Sequence, residues 1–285
     1  MAALRPWPRR ATGSRHGAPP RVAHTKPAPD SEALMKRLIP TVIVLLSVAS
    51  SAPAESGETP LAGYVLVWSD EFEGASLDTA HWNYRTDSKH WSAQAPQNVS
   101  VENGDLLLTL RKQKREAKKY TGAGVISKRL FGYGYYEARF RIAAGKGWHS
   151  SFWMMKHDGS GGTGTNAADL ELDVIENDSI NLNRYGVNTH RWKGEHASFG
   201  HKNVQTPPLS DFHVYGCEYT PSEVRYFFDG KLVQSLDISG QPQGDLHIWL
   251  TSIASHLGNT DRVDDSRLPG HVYFDYVRFY EKKPQ

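Results

Sequence analysis

Short runs of β-forming residues recur along most of the chain, and helical periodicity is nearly absent. Clusters of Gly, Asn, Asp and Pro separate the runs, which is typical of strands joined by tight turns. A long series of short strands without helices predicts an all-β fold, a two-sheet antiparallel β-sandwich. The predicted strands span residues 64–72, 99–101, 106–110, 124–128, 133–142, 150–155, 169–176, 185–189, 213–219, 224–228, 232–236, 247–253 and 272–280.

Two dipeptides predict the positions of tight hairpins. Asn103-Gly104 and Asp229-Gly230 each separate two β-forming runs, and both readily adopt the positive φ angles of a two-residue turn. The longest stretches without a strand pattern are the Gly-rich segment 158–166 and the segment 191–208. We expect both to be structureless loops near a functional site, because long loops on a β scaffold are often functional.

The N-terminal region has the pattern of an exported protein. Residues 1–34 are rich in Arg, Pro, Ala and Gly without apolar periodicity. A basic start at Met35, a short apolar run and an Ala-x-Ala end follow, which is the pattern of a secretory signal peptide. We predict a signal peptide over 35–54 and one domain over 55–285. Residues 1–34 are then an upstream over-extension of the start or a disordered arm.

Charge and cysteine content exclude several partners and sites. The chain has 33 Lys and Arg against 31 Asp and Glu, but 8 of the basic and 2 of the acidic residues lie in 1–54, so residues 55–285 carry a net charge of −4. The basic excess belongs to the leader and gives no reason to expect a nucleic-acid partner. The single cysteine, Cys217, excludes an intrachain disulfide and a Cys-rich zinc site. We expect a secreted or periplasmic monomer with no membrane contact after signal cleavage.

The most informative segment is residues 169–178, in which the first eight residues place four acids among apolar residues. On a regular strand Glu171 and Asp173 share one face, and the apolar residues share the other. Strict alternation would put Glu176 on the apolar face. One extra residue, a β-bulge near Val174–Ile175, returns Glu176 to the face of the other two acids.

Three carboxylates on one face repel one another, which raises the pKa of one and leaves another ionised. Retaining glycoside hydrolysis uses two carboxyl groups whose pKa values differ in this way. One carboxylate attacks the sugar, and one carboxylic acid protonates the leaving oxygen. A solvated strand face or a calcium site would show a similar pattern, and the pattern alone leaves these alternatives open.

The sequence Glu-Leu-Asp-Val-Ile-Glu at 171–176 resembles the signature of glycoside hydrolase family 16, in its bulged form with two residues between Asp and the second Glu. The similarity covers nearly all of residues 61–281. Further segments that resemble the family in the same order are 68–72, 77–78, 98–104, 127–139, 229–230 and 274–280.

This resemblance implies a concanavalin A-like jelly-roll with a concave substrate cleft and retaining endo-hydrolysis of a β-linked polysaccharide. It makes 55–285 the catalytic domain. By position, Glu171 is the nucleophile and Glu176 is the general acid/base. Asp173 hydrogen-bonds the nucleophile and helps set both protonation states.

The resemblance also suggests residues that bind the polysaccharide. Trp148 and Trp153 match two family tryptophans whose flat faces would stack on sugar rings. Asn98 is a candidate for contact with the cleft. His190 and Trp192 lie in a cationic, His-rich segment that would suit sugar hydroxyls or sulfate groups. The histidine spacing there fits no metal motif.

No cofactor is expected for catalysis. Asp275 matches a position at which many relatives bind a structural calcium, and backbone oxygens near Glu71 and Gly104 would complete that site. Calcium prefers such oxygen ligands.

The substrate stays open at this point. The simplest expectation is a β-1,3- or β-1,3-1,4-glucan, but His149-Ser150 stand where laminarin-cleaving members usually have Pro-Ala. A β-galactanase acting on agar, porphyran or carrageenan-type galactan is the alternative within the enzyme interpretation. A carbohydrate-binding jelly-roll without catalysis and a transglycosylase with the same carboxylates are the others.

Overall fold

The computed structural model describes residues 61–142, 145–157 and 170–284, which belong to one compact unit. Strands dominate, and the helices among these residues are short 3₁₀ turns. No helix in this part of the chain is long and apolar enough to cross a membrane. The predicted signal peptide (35–54), the segment 1–34 and the Gly-rich segment 158–166 lie outside the described residues.

Eight strands form the first sheet, and all neighbours in it are antiparallel. In spatial order they are β15 (Lys231–Asp237), β14 (Glu223–Phe228), β13 (His213–Tyr219), β8 (Gly134–Arg141), β17 (Gly270–Lys282), β6 (Asp105–Leu110) and β5 (Val99–Glu102), with β1 (Tyr64–Asp70) also paired to β17. Both predicted hairpin turns are confirmed. Asn103-Gly104 joins β5 to β6 with φ angles of 56° and 84°, and Asp229-Gly230 joins β14 to β15 with 46° and 75°.

Nine strands form the second sheet, antiparallel except where β4 runs parallel to β7. In spatial order they are β12 (Ala197–Gln205), β11 (Arg184–Arg191), β10 (Leu170–Asn177), β9 (Trp148–Met155), β16 (His247–Ala254), β7 (Tyr120–Ser127), β4 (Ser92–Gln94) and β3 (Ser88–Lys89), with β2 (Trp82–Tyr84) also paired to β7.

The predicted all-β sandwich is confirmed, but the expectation of a structureless segment over 191–208 is wrong. Strand β12 occupies most of it and pairs with β11 from Ala197 to Gln205. The strand lies at the sheet edge and is largely exposed, so its sequence lacks the apolar alternation of an inner strand. The short strands β2, β3 and β4 were also missed, because runs of two or three residues give no measurable periodicity.

The hydrophobic core lies between the two sheets. Phe140 of β8 stacks on Phe274 of β17 with ring centroids 4.4 Å apart, and Tyr215 of β13 packs 4.5 Å from the same ring. From the second sheet, Leu172 of β10 and Phe152 of β9 join this cluster. Residues that alternate with them on β9 and β10 therefore face away from the core.

Gly122 of β7 tests how closely the second sheet is packed. A β-carbon at this position would lie 2.4 Å from the carbonyl oxygen of Ser252 and 2.8 Å from Oε1 of Gln94. Because the backbone oxygen of Ser252 cannot move aside without straining the sheet, we expect Gly122→Ala to lower the free energy of unfolding by about 1–3 kcal/mol. Gly244→Ala, where nothing lies within 4 Å, is the control. Urea midpoints measure the difference, and equal midpoints for the two variants would contradict it.

Candidate active site

Three carboxylates lie on the outward face of β10. The register of β10 against both neighbouring strands shifts just after Asp173, so the bulge that the sequence predicted near Val174–Ile175 is confirmed. The apolar side chains of the strand pack in the core as a result. Glu171, Asp173 and Glu176 instead line one cleft.

Glu171 and Asp173 are linked by a hydrogen bond. Glu171 also accepts a hydrogen bond from the indole Nε1 of Trp192 at 2.7 Å. Burial raises the pKa of Glu171, and the charge of Glu176 adds to this against the effect of the indole. Asp173 is only 2% exposed, and burial together with its two carboxylate neighbours raises its pKa well above the usual range. Asp173 is therefore the member of the three best suited to hold a proton.

Glu176 faces a histidine of the neighbouring strand β9. Nε2 of His149 lies 3.1 Å from Oε1 of Glu176, and Nδ1 lies 2.9 Å from Oδ1 of Asp178. Burial acts to raise the pKa of Glu176, but the hydrogen bond and positive charge of His149 outweigh it and lower that pKa. Burial acts to lower the pKa of His149, but hydrogen bonds to Asp178 and Glu176 raise it to about 9.

The pKa shifts of the two outer carboxylates run opposite to the order that the resemblance implies. An ionised nucleophile at Glu171 and a protonated acid at Glu176 were expected, whereas the pKa of Glu171 is raised and that of Glu176 is lowered. His149 is the cause for Glu176, because it takes the proton and leaves Glu176 negative. Burial is the main cause for Glu171, and the negative charge of Glu176 adds to it, so the groups titrate together.

An aromatic cluster lies beside the carboxylates. The rings of Trp153 and Trp249 lie 4.5 Å apart at 31°, and Trp192 packs against the same cluster. Nε1 of Trp153 donates to Oγ1 of Thr251 at 3.3 Å. One face of Trp192 stacks on His196 at 4.1 Å. Trp153 and Trp192 are half-buried, whereas Trp249 is only 5% exposed and lies beneath the ring of Trp153. Half-buried indoles offer flat apolar surface to a sugar ring and a polar edge to its hydroxyls.

Basic side chains border the carboxylates on both sides. Arg85 and Lys89 line the cleft on the β3 side, and Arg184 and His201 line an adjoining pocket on the β11–β12 side. Arg85 binds the carboxylate of Asp87. Lys89 and Arg184 are exposed, and neither forms an ion pair within the described residues. The cleft is thus acidic at its centre and cationic at its two ends.

Three side chains of the site lie close enough together to bind a metal ion, but hydrogen bonds explain their arrangement. The ligand atoms of Glu171, Asp173 and His190 lie within 4.8 Å of one another, and Nε2 of His190 is 3.3 Å from Oδ2 of Asp173. The Trp192 hydrogen bond and the hydrogen bond between the two acids account for this grouping without a cation. We assign no metal to it.

Residues 64–282 match the family model of the GH16 domain of β-porphyranases A–D. The chain belongs to glycoside hydrolase family 16. It is accordingly a glycoside hydrolase from a family of endo-glycosidases.

Two relatives and one solved structure are similar to this chain over most of their length. A β-glucanase of Rhodothermus marinus is 27% identical over 282 residues, which span 90% of this chain and 98% of that protein. β-Porphyranase B of Phocaeicola plebeius is 28% identical over 277 residues, covering 76% and 84%. The laminarinase catalytic domain of Thermotoga maritima superposes with a TM-score of 0.68 at 23% identity, covering 78% of this chain and 99% of that one. The last likeness confirms the family 16 jelly-roll fold.

Two predicted substrate-binding residues do not face the cleft. Trp148 is 3% exposed and packs with Leu110 and Val263, so its ring has no face for a sugar. Asn98 is 1% exposed, and its amide nitrogen donates to Thr121 and to the carbonyl of Gly122. Both predictions are wrong, because Trp148 packs in the interior and the amide of Asn98 forms hydrogen bonds within the protein.

The other predicted substrate-binding residues lie beside the carboxylates. Trp153 lines the cleft, Trp192 donates to Glu171, and His190 contacts Asp173. The spacing of the two tryptophans on β9 explains their different fates. Trp148 and Trp153 are five residues apart, so a regular strand puts them on opposite faces.

Asp275 is the one side-chain ligand expected for a family 16 calcium site, and it is paired with an arginine. Its carboxylate contacts the guanidinium of Arg139 at 2.5 Å. The other expected ligands are backbone oxygens near Glu71 and Gly104. Ca²⁺ needs several oxygen ligands directed at it, whereas the side chain of Asp275 is directed at an arginine. The calcium site therefore stays a prediction, and we derive no role from it.

Sequence reasoning missed His149 and Lys89 as parts of the site. A signal existed for His149, because it alternates with Ser151 and Trp153 on one face of β9. No local pattern indicates Lys89, since β3 reaches the cleft only through pairing at the far edge of the sheet.

Proposed function

We propose that this protein hydrolyses internal β-linkages of a polysaccharide with retention of anomeric configuration. The single observation that best supports this is the bulge in β10, which aligns Glu171, Asp173 and Glu176 in one cleft and gives the two outer acids different hydrogen-bond partners. Two carboxyl groups in unlike environments are what a double displacement at a glycosidic bond requires.

In the first step a carboxylate oxygen of Glu171 attacks the anomeric carbon. The bond from that carbon to the glycosidic oxygen breaks, and the leaving oxygen takes a proton from Glu176. In the second step Glu176 removes a proton from water, which attacks the anomeric carbon and releases Glu171. The hydrogen bonds from Trp192 and Asp173 stabilise Glu171 as an anion before attack and as a leaving group afterwards.

For the substrate we propose a galactan that bears anionic groups such as sulfate esters. The cationic ends of the cleft, Lys89 on one side and Arg184 on the other, support this, because neither forms an ion pair within the described chain. Arginine and lysine are the usual partners of such oxyanions. The match to the porphyranase family model points the same way.

A β-1,3- or β-1,3-1,4-glucan is the second candidate. It is supported by the β-glucanase of Rhodothermus marinus, whose sequence aligns over 98% of its length. The half-buried indole of Trp153 would serve either polysaccharide, since stacking does not distinguish one pyranose ring from another.

A panel of laminarin, lichenan, agarose, porphyran and κ-carrageenan separates these candidates. We expect oligosaccharides from porphyran or carrageenan, with β-configured reducing ends early in the reaction by NMR. Release from laminarin or lichenan alone would replace the galactan with the glucan. Binding without release would favour a carbohydrate-binding protein, and products longer than the substrate would favour a transglycosylase.

The cationic ends provide a sharper test of the substrate class. We expect Lys89→Gln and Arg184→Gln each to lower kcat/KM on the sulfated galactan by about tenfold, the equivalent of one charge-assisted hydrogen bond. On the chemically desulfated polymer, Arg184→Gln should leave the rate unchanged. Lys89→Gln should do so above the acid limb, because the charge of Lys89 is one of the interactions that lower the pKa of Glu171. Lys231→Gln, at the β14–β15 hairpin of the other sheet, is the control. Equal losses on both polymers would contradict recognition of the anionic group.

We also propose that the enzyme is exported and acts as a monomer outside the cytoplasm. The leader pattern over 35–54 supports export. N-terminal sequencing of the protein recovered from a secreting host should find residue 55 first. Light scattering of that material should give the mass of one chain.

A further inference from the structure

We propose that His149, held by Asp178, is a positioning residue that keeps one proton beside Glu176 and thereby sets the alkaline limit of hydrolysis. This inference rests on the proposed function, because it assigns the source of the proton that Glu176 delivers. It concerns residues that the carboxylate motif does not include.

The contacts of His149 support this role. Each ring nitrogen faces a carboxylate oxygen, Nε2 toward Glu176 at 3.1 Å and Nδ1 toward Asp178 at 2.9 Å. A neutral imidazole donates from only one nitrogen, whereas the imidazolium donates from both. The ring is 8% exposed, so water cannot readily replace either partner. This geometry therefore selects the form with one additional proton on the His149–Glu176 pair.

The surroundings hold Asp178 in place to accept that hydrogen bond. Gly258, with a φ of 72°, lies so close that a β-carbon on it would be 2.6 Å from Cβ of Asp178. The turn after β10 is also fixed, because Ser179 donates from its backbone to Asn177 and from its hydroxyl to the carbonyl of Trp148. The orientation of His149 thus depends on two segments distant in sequence.

The electrostatics agree with the geometry. Hydrogen bonds to the two carboxylates outweigh burial and raise the pKa of His149 to about 9, while that of Glu176 is lowered. Between these two pKa values the pair holds one proton. It lies on Nε2 in the resting form and on Glu176 in the reactive form, which donates it to the glycosidic oxygen. In the second step the proton from water returns to Glu176 and from there to His149.

Other charged groups surround the pair. His190 is the nearest alternative proton carrier, but burial lowers its pKa, so it loses its proton well before the alkaline limit. The titratable and charged groups from the elements around the pair are Asp178 after β10, Glu171 and Asp173 on β10, His190 and Arg184 on β11, His201 on β12, and Arg85, Lys89 and His90 near β3.

The test is the pH dependence of kcat/KM for His149→Gln on whichever polysaccharide the wild type cleaves. The acid must be protonated, so wild-type activity should fall only as the pH rises through about 9. Without His149 the proton must stay on Glu176 alone, and we expect the alkaline limb to move down by more than about one pH unit. Asp178→Asn should move it in the same direction by less. His271→Gln, on β17 of the other sheet, should leave it unchanged.

An unchanged alkaline limb in His149→Gln would overturn the inference. An inactive wild type would instead overturn the proposed function. NMR titration of the histidine rings gives an independent measurement in the full protein, including the case in which His149→Gln does not fold. We expect one imidazole to titrate near pH 9, and at lower pH in Asp178→Asn. The absence of any imidazole that titrates near that pH would also overturn it.

Discussion

Glu171→Gln is expected to lower kcat/KM by more than about 10⁴-fold, because the amide cannot form the glycosyl-enzyme bond. We expect no decrease in the stability of the folded state. Burial and the charge of Glu176 raise the pKa of Glu171, so the ionised group costs stability, and removing its charge relieves the repulsion. We therefore expect a thermal midpoint equal to or above that of the wild type, together with loss of oligosaccharide release.

Glu281→Gln is a suitable control, because this exposed acid lies near the end of β17, 3.9 Å from Arg129. Its activity should match the wild type. Mass spectrometry of a trapped glycosyl-peptide should place the sugar on Glu171. Retention of more than a tenth of wild-type activity by Glu171→Gln, or a sugar attached elsewhere, would show that the nucleophile is a different group.

Glu171 should also determine the acid limb of the wild-type pH profile, which is the pH range in which activity is lost as the pH falls. The nucleophile must be ionised, and its pKa is raised, so activity should be lost as the pH falls through a value above that of an ordinary glutamate. In Trp192→Phe this limb should move further up, because the lost indole hydrogen bond is one of the interactions that lower the pKa of Glu171.

Glu176→Ala is expected to lower kcat/KM on the polysaccharide by about 10²–10⁴-fold, the range for loss of a general acid/base. The loss should be smaller for an aryl glycoside whose phenolate leaves without protonation. Azide should then accelerate turnover and give a β-configured glycosyl azide, because a small anion can enter the space of the missing carboxylate and needs no base.

The same assay on Glu171→Gln provides the matched control, since the amide fills the position of the nucleophile and leaves no space for azide. An equal loss on the polysaccharide and the aryl glycoside would contradict the role of Glu176 as proton donor. A glycosyl azide of inverted configuration would contradict the double displacement itself.

The pKa order in the free site follows from tertiary contacts rather than from the carboxylate motif. Burial acts to raise the pKa of Glu176, but His149 of the neighbouring strand β9 lowers it. The motif 171–176 predicts which groups react, but it does not predict where the proton resides before the substrate binds.

Some structural features could be predicted because they depend on neighbours in sequence. Alternation along 169–176 requires a bulge if three acids are to share one face, and the register of β10 shows it. The dipeptides at 103–104 and 229–230 adopt the positive φ angles that their residue types favour. Local sterics and period-two alternation determine both features.

Other features could not be predicted, because alternation does not say which face is buried. Trp148 and Trp153 looked equivalent as aromatic residues before the carboxylates, but one lies inside and the other in the cleft. Asn98 looked available for substrate, yet Thr121 and Gly122 take its amide.

The sequence by itself determined most of the strands, the two tight turns and the three aligned acids, since each depends on side chains a few residues apart. Only the tertiary structure decided the partners of those acids: His149 for Glu176, Trp192 for Glu171, and the cations at the cleft ends. The physical reason is that strand pairing and the bulge bring together groups from distant segments. Their mutual burial and charge, rather than their residue types, set the protonation states.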